Sequence, residues 1–275
     1  MAYTLDFTDR RVVVIGGTSG INFGIAEAFA EQGARVAVAS RSQDKVAAAV
    51  AKLQTHGGQV LGFAADVRDG EAVKTGLQEV QAQFGGIDVL VSGAAGNFPA
   101  PALGMSANGF KSVMDIDLLG TFQVLQLAYP YLTKPGASVI NISAPQALLA
   151  MELQVHVCAA KAGVDMVTRV LAMEWGPSGI RVNSLVPGPI AGTEGMVRLA
   201  PTAELQRTVT ESVPLRRQGT PQDVAHAALF LASPLAAYVS GAVLPVDGGW
   251  SLGGVGVAMA GLADFFKEQT TKKQG

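Results

Sequence analysis

The sequence predicts an α/β fold in which helices cover both faces of one doubly wound, seven-stranded parallel sheet. Seven short runs recur along the chain, and each is apolar at consecutive positions, as strands buried on both faces require. Ala-rich amphipathic segments separate these runs, such as residues 24–34 and 44–57, and glycines near their ends are typical of helix C-termini. Because strands and helices alternate, the crossovers are expected to be right-handed.

The predicted strands are residues 12–15, 35–39, 60–65, 87–91, 138–143, 181–186 and 242–246. Residues 187–217 interrupt the alternation with "PGPIAGTEG" and short helical pieces. We predict that they form an insertion at the carboxyl edge of the sheet, where ligands bind in such folds. Residues 251–275 follow the last strand as a C-terminal tail. No second core, linker or repeat is evident, so residues 1–275 are predicted to form a single domain.

The composition narrows the class of protein. The chain has 275 residues, of which 49% are hydrophobic and 15% charged, and this excludes a disordered protein. A net charge of -2 without a basic run argues against nucleic acid as a partner. The single cysteine, Cys158, excludes a disulfide framework. Neither a signal peptide, a membrane span nor a C-terminal SKL-type signal is recognisable, so a soluble cytoplasmic protein is expected.

The first predicted strand runs through a glycine-rich turn into a helix, in "VVVIGGTSGINFGIAEAFA". Gly16 permits a tight turn, and Gly20 would let the backbone approach a pyrophosphate at the positive end of the helix. A strand before the glycines and a helix after them favour a dinucleotide site. The alternative is an ordinary turn between a strand and a helix.

The end of the second predicted strand, "VAVASRSQDK", favours NADP(H) over NAD(H). Arg41 stands where NAD-binding folds usually place an acid for the ribose 2′-hydroxyl, and a guanidinium can fork onto a 2′-phosphate. Ser40, Ser42 and Lys45 add further donors. The alternative is that Arg41 is a solvated loop residue.

These motifs together resemble the short-chain dehydrogenase/reductase family, whose glycine turn matches Gly16 and Gly20 but has Asn22 in place of a third glycine. "AADVRD", "SGAAGN", "RVNSLVPGPIAGTEG" and "LPVDGGW" extend the resemblance over about residues 8–250. It implies a Rossmann-type fold and a nicotinamide cofactor. The positions that it implies for binding NADP(H) are Gly16, Thr18, Ser19, Gly20, Ile21, Arg41, Ser42, Lys45, Asp66, Val67, Ala94, Ala95, Gly96, Lys161, Pro187, Gly188, Ile190 and Thr193.

Most of the family's catalytic groups are missing. Ketone-reducing members carry a tyrosine and a lysine four residues apart on a helix, a serine thirteen residues before the tyrosine and an asparagine on the preceding helix. Lys161 matches the lysine, whereas Val157 and Ala144 take the tyrosine and serine positions and Asp117 the asparagine position. Valine and alanine have no proton to give, so carbonyl reduction by this route is not expected.

One branch of the family shares this departure. "SGAAGNFPAPA", "FKSVMDIDLLGTF" and "LASPLAAYVSGAV" resemble 2,4-dienoyl-CoA reductases of the peroxisomal type. The mitochondrial type has a tyrosine where this chain has Gln146. The resemblance implies that Asp117 and Lys161 form the catalytic pair, with Asp117 polarising a water. It also implies an acyl-CoA substrate, a homotetramer and no metal. The implied substrate-binding residues are Arg41, Arg68, Phe98, Ser106, Asn108 and Arg198.

Three functions therefore stand as hypotheses: NADPH-dependent reduction of 2,4-dienoyl-CoA, reduction of another activated double bond or carbonyl, and catalytically silent binding of NADPH. Asp117 could instead be a solvated or helix-packing carboxylate, and the implied substrate-binding residues could be surface or packing residues. His156, next to the vacant tyrosine position, either faces the substrate or is a polar helix residue.

Overall fold

A seven-stranded parallel sheet, with the order β3-β2-β1-β4-β5-β6-β7, forms the centre of the molecule. The computed structural model describes residues 5–274, and side chains up to residue 265 except residue 263. The strands are β1 (Arg11–Ile15), β2 (Arg35–Ser40), β3 (Val60–Ala64), β4 (Val89–Ser92), β5 (Ser138–Ile142), β6 (Arg181–Pro187) and β7 (Val243–Val246). The order reverses between β1 and β4, so the carboxyl ends of these two strands flank a crevice.

Helices cover both faces of the sheet. They are α1 (Gly20–Glu31), α2 (Gln43–Leu53), α3 (Gly70–Phe84), α4 (Ala107–Val113), α5 (Gly120–Ala128), α6 (Val155–Trp175), α7 (Glu194–Leu199), α8 (Ala203–Ser212), α9 (Pro221–Ala232) and α10 (Gly254–Gln274). A π-helical turn, Met114–Leu119, joins α4 to α5. In the part of the chain that the structure describes, none of the helices has the length and apolarity needed to cross a membrane.

The two faces of the sheet build separate hydrophobic cores, as the alternation of side chains along a strand requires. In β1, Val12 and Val14 pack in one core, which includes Phe29 of α1. Val13 and Ile15 point the other way, into a core built with α3, α5 and α6. These four side chains are nearly inaccessible to solvent. The doubly wound α/β fold with seven parallel strands, predicted from the apolar runs, is thus confirmed.

The fourth strand begins later than predicted, at Val89 instead of Ile87. Ile87 forms only an isolated bridge to Leu132. Asp88 is buried, and its carboxylate accepts hydrogen bonds from the backbone and guanidinium of Arg11 and from the hydroxyl of Thr133, at 2.7–2.9 Å. The start of this strand is therefore held by a polar side-chain network in addition to the backbone hydrogen bonds that Asp88 forms with Arg11 and Ser138.

We expect this network to make the stability of the fold depend on pH in the acidic range. Burial alone would raise the pKa of Asp88, but the hydrogen bonds from Arg11 and Thr133 outweigh it and lower the pKa from 3.8 to about 2. A lowered pKa stabilises the fold above the unfolded-state value, by about 2 kcal/mol, and this stabilisation is lost as the pH falls from about 4 towards 2. Urea unfolding of Asp88→Asn should give a free energy lower by roughly that amount at pH 7, and a smaller difference at pH 3.

The control for this prediction is Glu31→Gln, which changes an exposed carboxylate at the end of α1. Surface substitutions of this kind change stability by about 0.5 kcal/mol or less. A difference between Asp88→Asn and the parent chain that stays constant from pH 7 to pH 3 would contradict the assignment.

Candidate active site

A cleft of about 650 Å³ lies at the carboxyl ends of the strands, above the crevice between β1 and β4. Its walls come from the glycine turn, the ends of β2 to β6 and the start of α7. Most of the residues proposed to bind cofactor lie along it: Gly16, Thr18, Ser19, Ile21, Arg41, Ser42, Lys45, Asp66, Val67, Ala94, Ala95, Lys161, Pro187, Gly188, Ile190 and Thr193. Gly20 and Gly96 lie beside the cleft without lining it.

The backbone of the glycine turn lies close to the backbone of the loop that follows β4. Gly16 has φ +79°, and a Cβ there would lie 3.0 Å from the backbone of Gly93 and Ala94, so no larger residue fits. Gly20 has φ +55° and begins α1, whose amino end faces the cleft. The side chain of Asn22 donates a hydrogen bond of 2.7 Å to the Gly93 carbonyl. The departure from the family glycine pattern thus ties the turn to the loop after β4, a role that the sequence did not suggest.

The segment that follows β2 contributes cations, but no carboxylate, to the lining of the cleft. Arg41 is exposed, and among the described side chains no acid lies within ion-pair distance of it. The Ser42 hydroxyl caps α2 by accepting from the Lys45 amide at 3.4 Å. The Lys45 ammonium lies 3.9 Å from Glu194, a contact between two exposed side chains. This donor set suits the 2′-phosphate of NADP(H).

Asp66, after β3, is held as a carboxylate. Hydrogen bonds from the Arg68 guanidinium, at 2.6 and 2.9 Å, lower the pKa of Asp66. The positive charge of Arg41 acts in the same direction. Arg68 is itself exposed and lies outside the lining of the cleft, so its free N–H groups would meet a ligand only at the rim.

Asp117 and Lys161 form a buried ion pair at the floor of the cleft. The π-helical turn places Asp117 there with no exposed surface, and Lys161, on α6, is 5% exposed. Asp117 Oδ1 accepts from the Gly96 amide at 2.6 Å, and Oδ2 lies 3.4 Å from Lys161 Nζ. The ammonium also donates to the carbonyl of Ile142 at 3.0 Å. The carboxylate of Asp117 and the ammonium of Lys161 thus lie side by side at the floor of the cleft.

No hydroxyl stands at the vacant tyrosine and serine positions. Val157 and Ala144 line the cleft, together with Ser143 and Gln146. Ser143 is buried one residue before the vacant serine position, and sequence reasoning did not identify it. Next to Lys161 on α6, burial raises the pKa of Asp165, against the effects of neighbouring hydroxyls and cations.

The residues proposed for the substrate lie outside the lining of the cleft, apart from Arg41. Arg198 donates to the carbonyl of Asn97 and pairs with Glu194, so it bridges α7 and the loop after β4. The Ser106 hydroxyl caps α4, where Asn108 is exposed. Phe98 is 37% exposed and packs edge-on against the ring of His156 at 4.5 Å. Of these residues, Arg198 contacts the lining of the cleft directly, through Asn97 and Glu194.

His156 is a polar residue of α6 that does not face the cleft, in line with the second of the two sequence-based alternatives, but its burial was not predicted. Its ring is fully buried, and it does not line the cleft. Burial lowers its pKa, opposed by the nearby carbonyls of Phe98 and Gln154 and by the charge of Asp117. The neutral form is therefore favoured at pH 7.

Comparison with known proteins defines the class to which this fold and site belong. Residues 16–251 match a family model described as enoyl-(acyl carrier protein) reductase. Among solved structures, a short chain dehydrogenase from Bacillus anthracis has a TM-score of 0.79 at 38% identity, covering 88% of this chain and 96% of that one. Levodione reductase has a TM-score of 0.85 at 30% identity, with 90% and 99% covered. The chain belongs to the short-chain dehydrogenase/reductase family and is an oxidoreductase of that family.

Within the family, the chain is similar to 2,4-dienoyl-CoA reductases of the peroxisomal type. It is 48% identical over 244 residues to the peroxisomal 2,4-dienoyl-CoA reductase [(3E)-enoyl-CoA-producing] of Pongo abelii, covering 88% of this chain and 83% of the relative. The Arabidopsis thaliana protein of the same name is 43% identical over 247 residues, with 86% and 83% covered. A D-threitol dehydrogenase of Mycolicibacterium smegmatis is more distant, at 36% identity over 241 residues, with 87% and 92% covered.

Proposed function

We propose that this protein reduces 2,4-dienoyl-CoA to 3-enoyl-CoA with NADPH, in the auxiliary β-oxidation of unsaturated fatty acids. The observation that carries the proposal is the buried Asp117–Lys161 pair at a cleft whose tyrosine and serine positions hold Val157 and Ala144. That arrangement lacks the tyrosine that gives a proton to a ketone oxygen but provides a charged pair that can act through water.

NADPH is the proposed cofactor because Arg41, Ser42 and Lys45 surround the place of a 2′-phosphate, and Gly16 leaves room for the backbone to meet a pyrophosphate. When bound, NADPH would supply a hydride to C5 of the diene. Lys161 would hold the nicotinamide ribose with those N–H groups that do not bind the carbonyl of Ile142.

Proton delivery is the proposed work of Asp117. Negative charge spreads to the thioester oxygen as C5 gains the hydride, and the dienolate then needs a proton at C2. An ionised Asp117 accepts hydrogen bonds only, so it would orient and polarise a water rather than give the proton itself. Its Oδ2 forms no hydrogen bond within the described structure and is the atom free to take that water.

The substrate's CoA group is assigned to cations at the rim. Arg41, Arg68 and Arg198 lie on three separate elements around the cleft and would bind its phosphates. Arg68 and Arg198 keep donors beyond their contacts with Asp66 and Glu194. Phe98, with Ser106 and Asn108, is assigned to the acyl side of the same rim.

A homotetramer, packed through α5 and α6, belongs to the proposal. Large apolar side chains on this side of the molecule are exposed in the single chain: Leu119, Phe122, Met166, Val170 and Met173. An apolar face of this kind is typical of a subunit contact. Sedimentation velocity of the purified chain would give the mass of the assembly.

One assay separates the hypotheses. The protein is mixed with NADPH and a 2,4-dienoyl-CoA, and loss of the diene chromophore and of NADPH is followed together, with NADH and a simple ketone as parallel controls. Matched loss of both signals supports the proposal. NADPH binding without turnover on any substrate would indicate a silent binding protein, and turnover of the ketone alone would indicate the other reductase.

A further inference from the structure

Two buried polar side chains near the start of α6 have no hydrogen-bond partner in the described part of the chain. Gln154 and His156 have no exposed surface, yet both amide atoms of Gln154 and both ring nitrogens of His156 lack a hydrogen bond within residues 5–265. The same is true of Asn97 Oδ1. The carbonyls of Phe98 and Gln154 lie near the imidazole but outside hydrogen-bond geometry. Such groups weaken a fold unless something binds them.

The loop after β4 connects Asp117 to the start of α6 and contacts His156 on the way. Asp117 Oδ1 binds the Gly96 amide at 2.6 Å, and Asn97 follows on the wall of the cleft. Phe98, the next residue, lies against the ring of His156 with their centroids 4.5 Å apart. The loop then pairs with the start of α6 through the Ala100 amide and the carbonyl of Leu153, at 2.9 Å.

The backbone that positions Gln154 is strained. Leu153, immediately before it, has φ +65°, a conformation that residues other than glycine adopt only where the surroundings impose it. Gln154 occupies the N-cap position of α6, but its side chain makes no capping hydrogen bond. A strained residue followed by two unpartnered buried polar side chains is an arrangement found at functional sites rather than in ordinary cores.

We propose that Asn97, Gln154 and His156 form an internal water-binding site that adjoins Asp117. Water fits these groups because the amide of Gln154 and the neutral imidazole each offer a donor and an acceptor, and a buried water needs two to four such partners. Gln154 and His156 lie behind the wall of the cleft, so the substrate itself does not reach them. Asn97 and Asp117 line the cleft and connect the site to it.

The water site extends the proposed function by supplying the water from which C2 is protonated, and in this respect it rests on that function. An O–H bond of the water beside Asp117 breaks as the C2–H bond forms. The hydroxide that remains takes a proton from the Lys161 ammonium, which regains it from solvent when product leaves. His156 and Gln154 touch neither substrate nor cofactor, so they are positioning residues for this water.

Two variants test the site in the full-length chain with NADPH and a 2,4-dienoyl-CoA. His156→Leu and Gln154→Met keep approximate size and remove the polar atoms, and we expect kcat to fall about ten-fold with KM for both substrates unchanged. The solvent deuterium isotope effect on kcat should rise, and His156→Gln should restore most of the activity. A melting curve for each variant shows whether the fold is kept. Val155→Thr, exposed on the same turn of α6, is the control.

A crystal structure of the unmodified protein supplies a readout that does not depend on turnover. Ordered water within hydrogen-bond distance of His156 and Gln154 is expected, and a dry site would overturn the proposal. Unchanged kcat and isotope effect in both variants would overturn its part in protonation. If the unmodified protein fails to reduce the diene while the water is present, the proposed function fails and the water site stands.

Discussion

Asp117→Asn is expected to lower kcat for a 2,4-dienoyl-CoA by about 100-fold or more, with little change in KM. Asparagine keeps the shape and can still accept the hydrogen bond from the Gly96 amide. It removes the negative charge that faces Lys161 at 3.4 Å and would polarise the water. The loss should therefore appear in the chemical step and not in binding. Stopped-flow measurement of single-turnover diene loss, with NADPH pre-bound, checks this prediction.

Asp115→Asn is the matched control for this prediction. Asp115 lies on the same π-helical turn, but its carboxylate pairs with Lys111 on the outside of the molecule. We expect its kcat to stay within a factor of about two of the parent, because a surface pair contributes about 1 kcal/mol or less. A single-turnover rate for Asp117→Asn equal to that of the control would mean that Asp117 only packs the helix. A melting curve for each variant shows whether the fold is kept.

Arg41→Ala is expected to raise the Kd for NADPH by about 10- to 100-fold and to leave the Kd for NADH nearly unchanged. A hydrogen bond to a charged group contributes about 1.5–3 kcal/mol, and each 1.4 kcal/mol is a factor of ten in affinity. The 2′-phosphate is the only group that distinguishes the two cofactors, so the loss should be confined to NADPH. Fluorescence titration with each nucleotide measures the two dissociation constants.

Two further variants test whether the loss of NADPH affinity is specific to the Arg41 guanidinium. Arg207→Ala removes an exposed arginine from α8 and should leave both dissociation constants unchanged. Arg41→Lys keeps the charge without the planar fork and should fall between the parent and Arg41→Ala. Equal losses for NADPH and NADH on removal of Arg41 would assign it to a part that both cofactors share, such as the adenine, instead of the 2′-phosphate.

Most of the fold could be predicted because its signals are local. The apolar alternation that sends Val12 and Val14 to one core, and Val13 and Ile15 to the other, can be read along a single strand. The strand boundaries were less predictable. The fourth strand starts at Val89, next to the polar network around Asp88, and two members of that network, Arg11 and Thr133, are distant from it in sequence.

In the candidate site, too, some features could be predicted from the sequence and others could not. Counting residues was enough to locate Lys161 and to find Val157 and Ala144 where a tyrosine and a serine were expected. The burial of His156 and Gln154 without hydrogen-bond partners in the described structure could not be predicted from the sequence. Whether a polar side chain finds a partner depends on the loop packed against it. The hydrogen bond from Asn22 to the Gly93 carbonyl could not be predicted for the same reason.

The sequence by itself determined the alternating fold, the glycine turn at Gly16 and the absence of the tyrosine, since each depends on residue type and spacing along the chain. Only the tertiary structure decided that Asp117 meets Lys161, because the two lie on separate elements. The π-helical turn adds a residue to the local turn and so rotates the side chains that follow by about 100°, which hydrophobic periodicity alone does not reveal. Packing against α6 then buries the carboxylate beside the ammonium.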